Sequence, residues 1–341
     1  MTKNRNTILF ISLILLLLTA LSMNIAFGQV SIPLREIFNS LTGNHASKDT
    51  WEYIITNFRL PKAITAILVG IGLSISGLLM QTLFRNPLAG PYVLGLSSGS
   101  SLGVAFVILG AGVLPPFISE TLLSPYGIIL ASCLGSFLVL LLVLIISQHL
   151  RDTATILIVG LMFSSFAGAA VSVFTYFSSS EQLQKYTFWS MGSIGNLSWQ
   201  NITILGISVM IGMLLSLFSL KALDTLLLGE NYAKSMGLNI KKSRIIIIVA
   251  TSILAGSITA FAGPIAFIGL AVPHLAKLLF HTSNHKVLFF GTFLIGAIIM
   301  LLCDTVSQMP GFEFTLPINA ITSIIGAPIV IWLIVRKRSL T

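Results

Sequence analysis

Charged residues are scarce in this sequence: they make up 9% of its 341 residues, whereas a soluble globular domain carries about 25%. Hydrophobic residues make up 55% of the chain, and the mean hydropathy is +0.98. So few charges cannot cover the surface of a soluble protein of this length. The composition therefore predicts an all-α polytopic membrane protein, a bundle of apolar helices that forms one transmembrane domain over residues 1–341.

The chain also lacks the motifs of common enzymes. It has no Gly-rich phosphate-binding loop, and the nearest fragment, Lys234-Ser235, follows Ala233 where that loop has glycine. It contains neither a Gly-x-Ser-x-Gly nucleophile motif nor a His-Glu-x-x-His zinc motif. We therefore expect no catalytic residues, no cofactor and no hydrolysis of ATP by this chain itself.

Metal ligands and intramembrane carboxylates are equally rare. Cys133 and Cys303 lie inside apolar runs and match neither a disulfide framework nor a zinc pattern. No two of the five histidines have metal-ligand spacing on one helix face, so we expect no metal site. Asp304 is the carboxylate that comes closest to the middle of an apolar run, and this scarcity counts against an ion-coupled secondary transporter, which stays open as an alternative.

Ten apolar stretches approach the ~20 residues that a membrane helix needs. The first is longer than the roughly 7–15 residues of a cleaved signal sequence, which favours a retained helix. The eighth is the weakest, because only Gly263-Pro264 separates it from the seventh. The predicted spans are 7–28, 60–82, 92–112, 126–147, 153–177, 200–221, 245–262, 264–280, 287–305 and 318–335.

Basic residues cluster at the ends of these spans. With the N-terminus in the cytoplasm, 14 of the 19 lysines and arginines fall in cytoplasmic segments and 5 fall outside. Cytoplasmic loops of membrane proteins carry such an excess. The bias predicts that both termini are cytoplasmic, and it accounts for the net charge of +9 without a nucleic-acid partner.

Two segments differ from plain connectors. The outer one, about 29–58, is expected to form a structured cap with some amphipathic helix. The inner one, about 222–240, is polar enough to leave the membrane yet rich in helix formers, which predicts two short helices broken at Gly229 and stopped at Gly237. From the residues alone, a solvated loop and a docking site for a partner are equally good interpretations of the inner segment.

Six stretches of the chain carry specific motifs. The two longest run from Ser76 to Pro91 and from Gly263 to His274. The others are Arg59-Leu-Pro-Lys62, Trp189-Ser-Met-Gly192, Leu228-Gly-Glu230 with Ala233 and Gly237, and Leu316-Pro317 followed by Ile325-Gly-Ala-Pro328. In their order along the chain, these motifs resemble those of the permease subunits of iron-siderophore, haem and vitamin B12 ABC importers, the FecCD-type family.

The resemblance implies about ten helices per subunit, a homo- or heterodimer of permease subunits, two cytoplasmic ATPase subunits and an extracytoplasmic substrate-binding protein. It implies a multi-pass location in the lipid of a bacterial cytoplasmic membrane. The transported ligand is expected to be a ferric siderophore, with haem and corrinoids open, and the mechanism to be ATP-driven alternating access.

The resemblance also assigns roles to particular residues. It makes the 222–240 segment the contact with the ATPase subunits, and the residues concerned are Leu227, Leu228, Gly229, Glu230, Ala233, Met236 and Gly237. It assigns docking of the binding protein to Arg59 and Lys62, which could instead be interfacial anchors. Glu230 is placed to favour its helix dipole and to pair with a basic residue of the partner.

Structural turns are expected at Asn86, Pro87, Pro264 and Pro273. The sequence departs from the family at three outer positions: Gln308 stands where arginine is usual, Thr315 where glutamate is usual, and Asn319 where glycine is common. The usual charge pattern near the tenth span is therefore altered in this chain.

Overall fold

The computed structural model describes residues 2–28, 30, 32–42, 47–113, 115, 121–149, 153–195, 197–308 and 315–338. Within them the chain is helical and contains no strand. The α-helices are α1 (Thr2–Ala26), α2 (Leu34–Leu41), α3 (Asp49–Ile54), α4 (Leu60–Leu83), α5 (Leu96–Ile108), α6 (Pro125–His149), α7 (Thr153–Phe177), α8 (Ser180–Ser190), α9 (Trp199–Leu227), α10 (Glu230–Ser235), α11 (Ile240–Ala262), α12 (Ile268–Phe280), α13 (His285–Ser307) and α14 (Ile318–Arg338).

Seven helical stretches among the described residues are long and apolar enough to cross a membrane. They are Asn4–Ala26, Asp49–Leu83, Pro125–Ile146, Thr155–Phe177, Trp199–Leu227, Ile240–Ala262 and His285–Ser307. The other three predicted spans coincide with shorter apolar helices, Leu96–Ile108, Ile268–Phe280 and Ile318–Trp332. Every predicted span thus overlaps a helix, and the tally of ten membrane crossings stays a prediction.

The third predicted span is divided instead of continuous. A short 3₁₀ helix, Pro91–Leu94, precedes α5, and Gly95 between them has a φ of +77°. Glycine adopts this left-handed backbone without a Cβ clash, so the chain changes direction there. The helix that follows has only 13 residues.

Pro273 does not form a turn. It is the sixth residue of α12, which begins at Ile268 after a connection that contains Pro264. A proline at this position removes the N–H that would bond the carbonyl of Gly269, and Gly77 of α4 packs against that same carbonyl. A Cβ added to Gly77 would lie 1.6 Å from the Gly269 oxygen, so α4 and α12 pack closely only because this residue is glycine.

Helix α4 lies at the centre of the fold. Every residue from Val69 to Leu83 is buried, and α4 packs against α9, α11, α12 and α13. By contrast, α6, α7 and α9 expose large apolar side chains such as Phe137, Phe166 and Phe218. A buried central helix and apolar outer faces are the arrangement expected of a protein surrounded by lipid.

Two local predictions need correction. The 222–240 segment does not begin with a separate short helix, because α9 continues unbroken to Leu227 and only α10 is distinct. Helix α8 was not predicted; its N-terminus is a capping box in which Ser179 and Gln182 bond each other's backbone N–H groups. In the predicted cap, α2 and α3 are helical, and residues 29, 31 and 43–46 lie outside the described part of the chain.

Candidate functional site

The 222–240 segment contains the end of α9 and one separate short helix, α10, which lies between two glycines. Gly229 has a φ of +118° and precedes α10, and Gly237 follows α10 with a φ of +82°. The N–H of Leu238 bonds the Ala233 carbonyl at 3.0 Å, and that of Gly237 bonds the Lys234 carbonyl at 2.9 Å. This pair of bonds is a Schellman motif, which fixes the angle at which the chain leaves the helix.

Although many residues of this segment are polar, its exposed surface carries several large apolar side chains. Leu228 is 62% exposed, Met236 is 61% exposed, and Leu227 and Tyr232 are exposed as well. Ala233 is fully buried and anchors α10 against its neighbours. The backbone is thus fixed while large apolar side chains point outward, as in surfaces that bind another protein.

Glu230 is paired within the chain. Its Oε1 lies 3.2 Å from Nη2 of Arg244, a buried arginine of α11. The expectation that this carboxylate pairs with a partner's basic residue is therefore replaced by an internal ion pair, which joins the first turn of α10 to α11. Its position in the first turn also suits the helix dipole.

A buried histidine joins three helices beside this segment. Asp224 of α9 accepts at Oδ1 from the backbone N–H of His285 at 2.9 Å, and the same oxygen lies 2.6 Å from Nδ1 of that histidine. On the other side of the ring, Nε2 lies 2.9 Å from Oγ1 of Thr82, near the end of α4. His285 is 1% exposed.

Arg85 makes a second contact to the end of α9. Its Nε and Nη2 donate to the Leu226 carbonyl at 3.0 and 2.5 Å. That carbonyl belongs to the last turn of the helix, where the helix dipole is negative, and it also accepts the N–H of Gly229 at 3.2 Å. Arg85 has a φ of +46°, which is uncommon for a residue other than glycine.

A second polar cluster lies at the opposite end of α4 and α13, which we call the Asp304 end. The Lys62 Nζ is 3.1 Å from Oδ1 of Asp304, a carboxylate with no exposed surface. Its Oδ2 accepts from Nδ2 of Asn24 at 2.9 Å and from Nε2 of Gln308 at 2.7 Å. Gln308, at the position where arginine is usual in the family, therefore donates to this buried carboxylate.

Arg59 also lies at the Asp304 end, but it faces inward. It is 7% exposed, and its guanidinium donates to the backbone carbonyls of Ile25, Ala26 and Val30. Arg59 thereby pairs the carbonyls at the end of α1, which have no N–H partner in their own helix. Lys62 is less buried, with 15% of its side chain exposed, so it is the more accessible of the two cations.

A cavity of about 940 Å³ opens beside these residues. Arg59, Lys62 and Asp304 line it, and so do Gln308 and Thr315, two of the positions where the sequence departs from its relatives. The third such residue, Asn319, accepts the N–H of Ala266 at 3.0 Å and ties α14 to the connection between α11 and α12.

The remaining predicted turn residues lie in connections between helices. Asn86 and Pro87 follow the end of α4, where Asn86 Oδ1 accepts the N–H of Leu88 at 2.9 Å. The Pro87 carbonyl lies 2.7 Å from Nε2 of His274 in α12, which fixes this connection to a neighbouring helix. Asn86 and Pro87 thus lie near the 222–240 segment, because the adjacent Arg85 bonds the Leu226 carbonyl, whereas Pro264 lies at the opposite end of α11 and Arg59 and Lys62 lie at the other end of α4.

Comparisons with known proteins agree with this architecture. The model of the FecCD transport family matches residues 14–336. The hemin transport system permease protein HmuU of Yersinia pestis is 34% identical over 332 residues, 97% of this chain and 96% of HmuU. The vitamin B12 import system permease protein BtuC of Klebsiella pneumoniae is 32% identical over 327 residues, 96% of this chain and 93% of BtuC.

A solved structure is similar over nearly the whole fold. It is described as a metal-chelate type ABC transporter in an inward-facing conformation, and it superposes with a TM-score of 0.83 at 29% identity. The similarity covers 96% of this chain and 99% of that one. The chain therefore belongs to the FecCD transport family.

Proposed function

We propose that this chain is the permease subunit of a binding-protein-dependent ABC importer that carries a ferric siderophore across a bacterial cytoplasmic membrane. Similar proteins are named for hemin and vitamin B12, and the similar structure is described as a metal-chelate transporter. These ligands are large metal chelates, and a ferric siderophore belongs to the same chemical class. Haem and corrinoids remain alternative ligands of the same pathway.

The proposed topology has ten membrane crossings and cytoplasmic termini. The three short apolar helices then cross the membrane together with the connections that flank them, as short or broken helices do when other helices bury them. The excess of lysine and arginine in the segments assigned to the cytoplasm supports this orientation. The chain forms a dimer with a second permease subunit, identical or homologous, and the exposed apolar faces of α6, α7 and α9 meet lipid or that subunit.

The functional proposal rests mainly on the 222–240 segment. Its short helix is fixed by two glycines and an internal ion pair, yet it presents Leu228 and Met236 to solvent. A rigid body with an apolar face can bind a groove on another protein and transmit a displacement. We assign it to the cytoplasmic ATPase subunits, where Leu227, Gly229, Ala233 and Gly237 fix the geometry of the contact.

The Asp304 end is assigned to the extracytoplasmic binding protein. Lys62 and Arg59 supply positive charge beside a large cavity, and charge of this kind mainly accelerates encounter with an acidic partner. Because the guanidinium of Arg59 donates to three carbonyls of the same chain, Lys62 is the principal contact in this proposal.

A stand-alone secondary transporter is the alternative, and binding of an ATPase subunit distinguishes the two. The experiment co-expresses the tagged chain with an ABC-importer ATPase subunit of the same organism and measures co-purification. Leu228→Glu should abolish co-purification, whereas the matched control Phe38→Glu, at a residue 68% exposed on α2, should not. Failure of the unmodified chain to bind any ATPase subunit would contradict the proposal.

A further inference from the structure

We propose that Arg85, Asp224 and His285 are positioning residues that lock the 222–240 segment to the membrane helices, so that ATP-driven motion of the segment reaches α4 and α13. The inference rests on the proposed function and adds to it the path by which force leaves the segment. It is carried by two contacts that lie on either side of the end of α9.

The first contact is the His285 cluster. Asp224 lies three residues before the end of α9, His285 is the first residue of α13, and Thr82 is the last residue but one of α4. A single imidazole therefore joins the inner ends of three helices at distances of 2.6 and 2.9 Å. A displacement of the end of α9 is passed to both neighbours while these bonds hold.

Both ring nitrogens of His285 have a partner. Nδ1 faces the Asp224 carboxylate, which only accepts, so the hydrogen of this bond belongs to the ring. Nε2 lies beside the Thr82 hydroxyl, which can accept from it or donate to it. The ring therefore bridges α9 and α4 whichever way the Thr82 hydroxyl points.

The second contact is Arg85 with the Leu226 carbonyl. Arg85 lies two residues after the end of α4, and its guanidinium is beside the break between α9 and α10. A Cβ added to Gly229 would lie 3.6 Å from its Nη2. The end of α4 is thus bonded to the end of α9 twice, through Thr82 and His285 and through Arg85.

Helix α4 is suited to receive this motion. All of its last 15 residues are buried, and it packs against four other helices of the bundle. Close-packed interiors transmit strain because they hold few voids in which a displacement can be absorbed. A push on the 222–240 segment therefore moves the centre of the bundle, provided that the two contacts at its base are intact.

The test measures coupling in the assembled transporter. The chain is reconstituted in vesicles with its ATPase subunits and the binding protein, and uptake of hemin, cyanocobalamin and iron-labelled ferrichrome is measured together with ATP hydrolysis. Asp224→Asn, His285→Gln and Arg85→Gln should keep hydrolysis but lower the uptake per ATP roughly tenfold, the scale of losing one hydrogen bond to a charged group. Arg85→Lys, which keeps a charged donor, should restore part of it.

The control is Lys221→Gln, which removes an exposed cation of α9 next to the segment. It should leave the ratio of ligand uptake to ATP hydrolysis unchanged. A wild-type ratio in the Asp224, His285 and Arg85 variants would overturn the inference and leave the proposed function intact. Failure of Asp224→Asn to assemble with the ATPase subunits would also overturn it, because the cluster would then be a folding element. A wild-type chain that binds no ATPase subunit would overturn the proposed function and the inference together.

Discussion

Lys62 and Asp304 form an ion pair in which the carboxylate is wholly buried and the two charged atoms lie 3.1 Å apart. The pair joins the start of α4 to the end of α13, and His285 joins the other ends of the same two helices through Thr82. At 1.5 Å per residue, the 19 residues from His285 to Asp304 span about 28 Å. The two polar clusters thus bracket an apolar layer close to the roughly 30 Å thickness of a bilayer core.

Removal of Lys62 should destabilise the protein more than loss of an exposed pair. Lys62→Met leaves a buried carboxylate without its cation, at an expected cost of about 3–5 kcal/mol in the free energy of unfolding. The matched control is Lys185→Met, which breaks the exposed pair with Glu181 and should change little. The thermal midpoint in detergent measures both, and equal midpoints for the two variants would contradict the role of the buried pair.

Asp304→Asn in the Lys62→Met background should recover most of the lost stability. The neutral amide needs no cation and still accepts from Asn24 and Gln308. No recovery in the double variant would show that Lys62 contributes through packing of its aliphatic chain.

Docking of the binding protein can be tested without leaving the buried carboxylate unpaired. Lys62→Gln combined with Asp304→Asn removes the partly exposed positive charge and the buried negative charge together, so association should be slower and less sensitive to salt. Association rates at low and high salt measure this. Unchanged rates would show that Lys62 serves only within the subunit and that the docking assignment fails.

Gly237 should tolerate asparagine but not valine. Its φ is +82°, and an added Cβ would meet nothing within 4 Å, so the effect of a substitution is one of backbone conformation alone. Asparagine adopts left-handed angles far more readily than a β-branched residue. Gly237→Val should therefore abolish ATP-driven uptake in reconstituted vesicles while the dimer still forms, and Gly237→Asn should retain it. Normal uptake with valine would show that the 222–240 segment is only a linker.

Close contact between α4 and α12 should make Gly77 intolerant of any side chain. Gly77→Ala places a Cβ within 1.6 Å of the Gly269 carbonyl, whereas Gly90→Ala meets nothing within 4 Å. The expected result is loss of monodisperse protein after extraction for the first variant and normal yield for the second. Size-exclusion profiles of the two membrane extracts measure this directly, and equal yields would contradict the packing of these helices.

The long helices were predictable because long apolar runs have few alternatives in a membrane protein. The predicted span 153–177 coincides with α7, and α4 was predicted to within one residue. Helices α5 and α12 were predicted too long, since the left-handed angles at Gly95 and Phe267 depend on packing that a single sequence does not display. Helix α8 had a visible signal, the Ser179–Gln182 capping box, which was overlooked.

In the candidate site, the features set by residues close in sequence were predictable, and the contacts between residues far apart in sequence were not. The glycines of the 222–240 segment reveal where a helix breaks, so the position of α10 followed from the residues. Contacts such as Asp224 with His285 join positions 61 residues apart, and nothing in one sequence pairs them. Arg59 was predicted to dock the binding protein or to anchor its helix at the membrane interface. Its burial against the end of α1 depends on the three-dimensional path of the chain, which the sequence does not reveal.

The most direct test of the account is ATP-dependent uptake by the purified chain in vesicles, with and without its ATPase subunits. The chain alone should neither hydrolyse ATP nor accumulate hemin, cyanocobalamin or ferrichrome. With the ATPase subunits and the loaded binding protein, at least one of these probes should accumulate, and only when ATP is supplied on the side of the ATPase subunits. Hydrolysis by the chain alone, or accumulation driven by an ion gradient without ATP, would contradict the account.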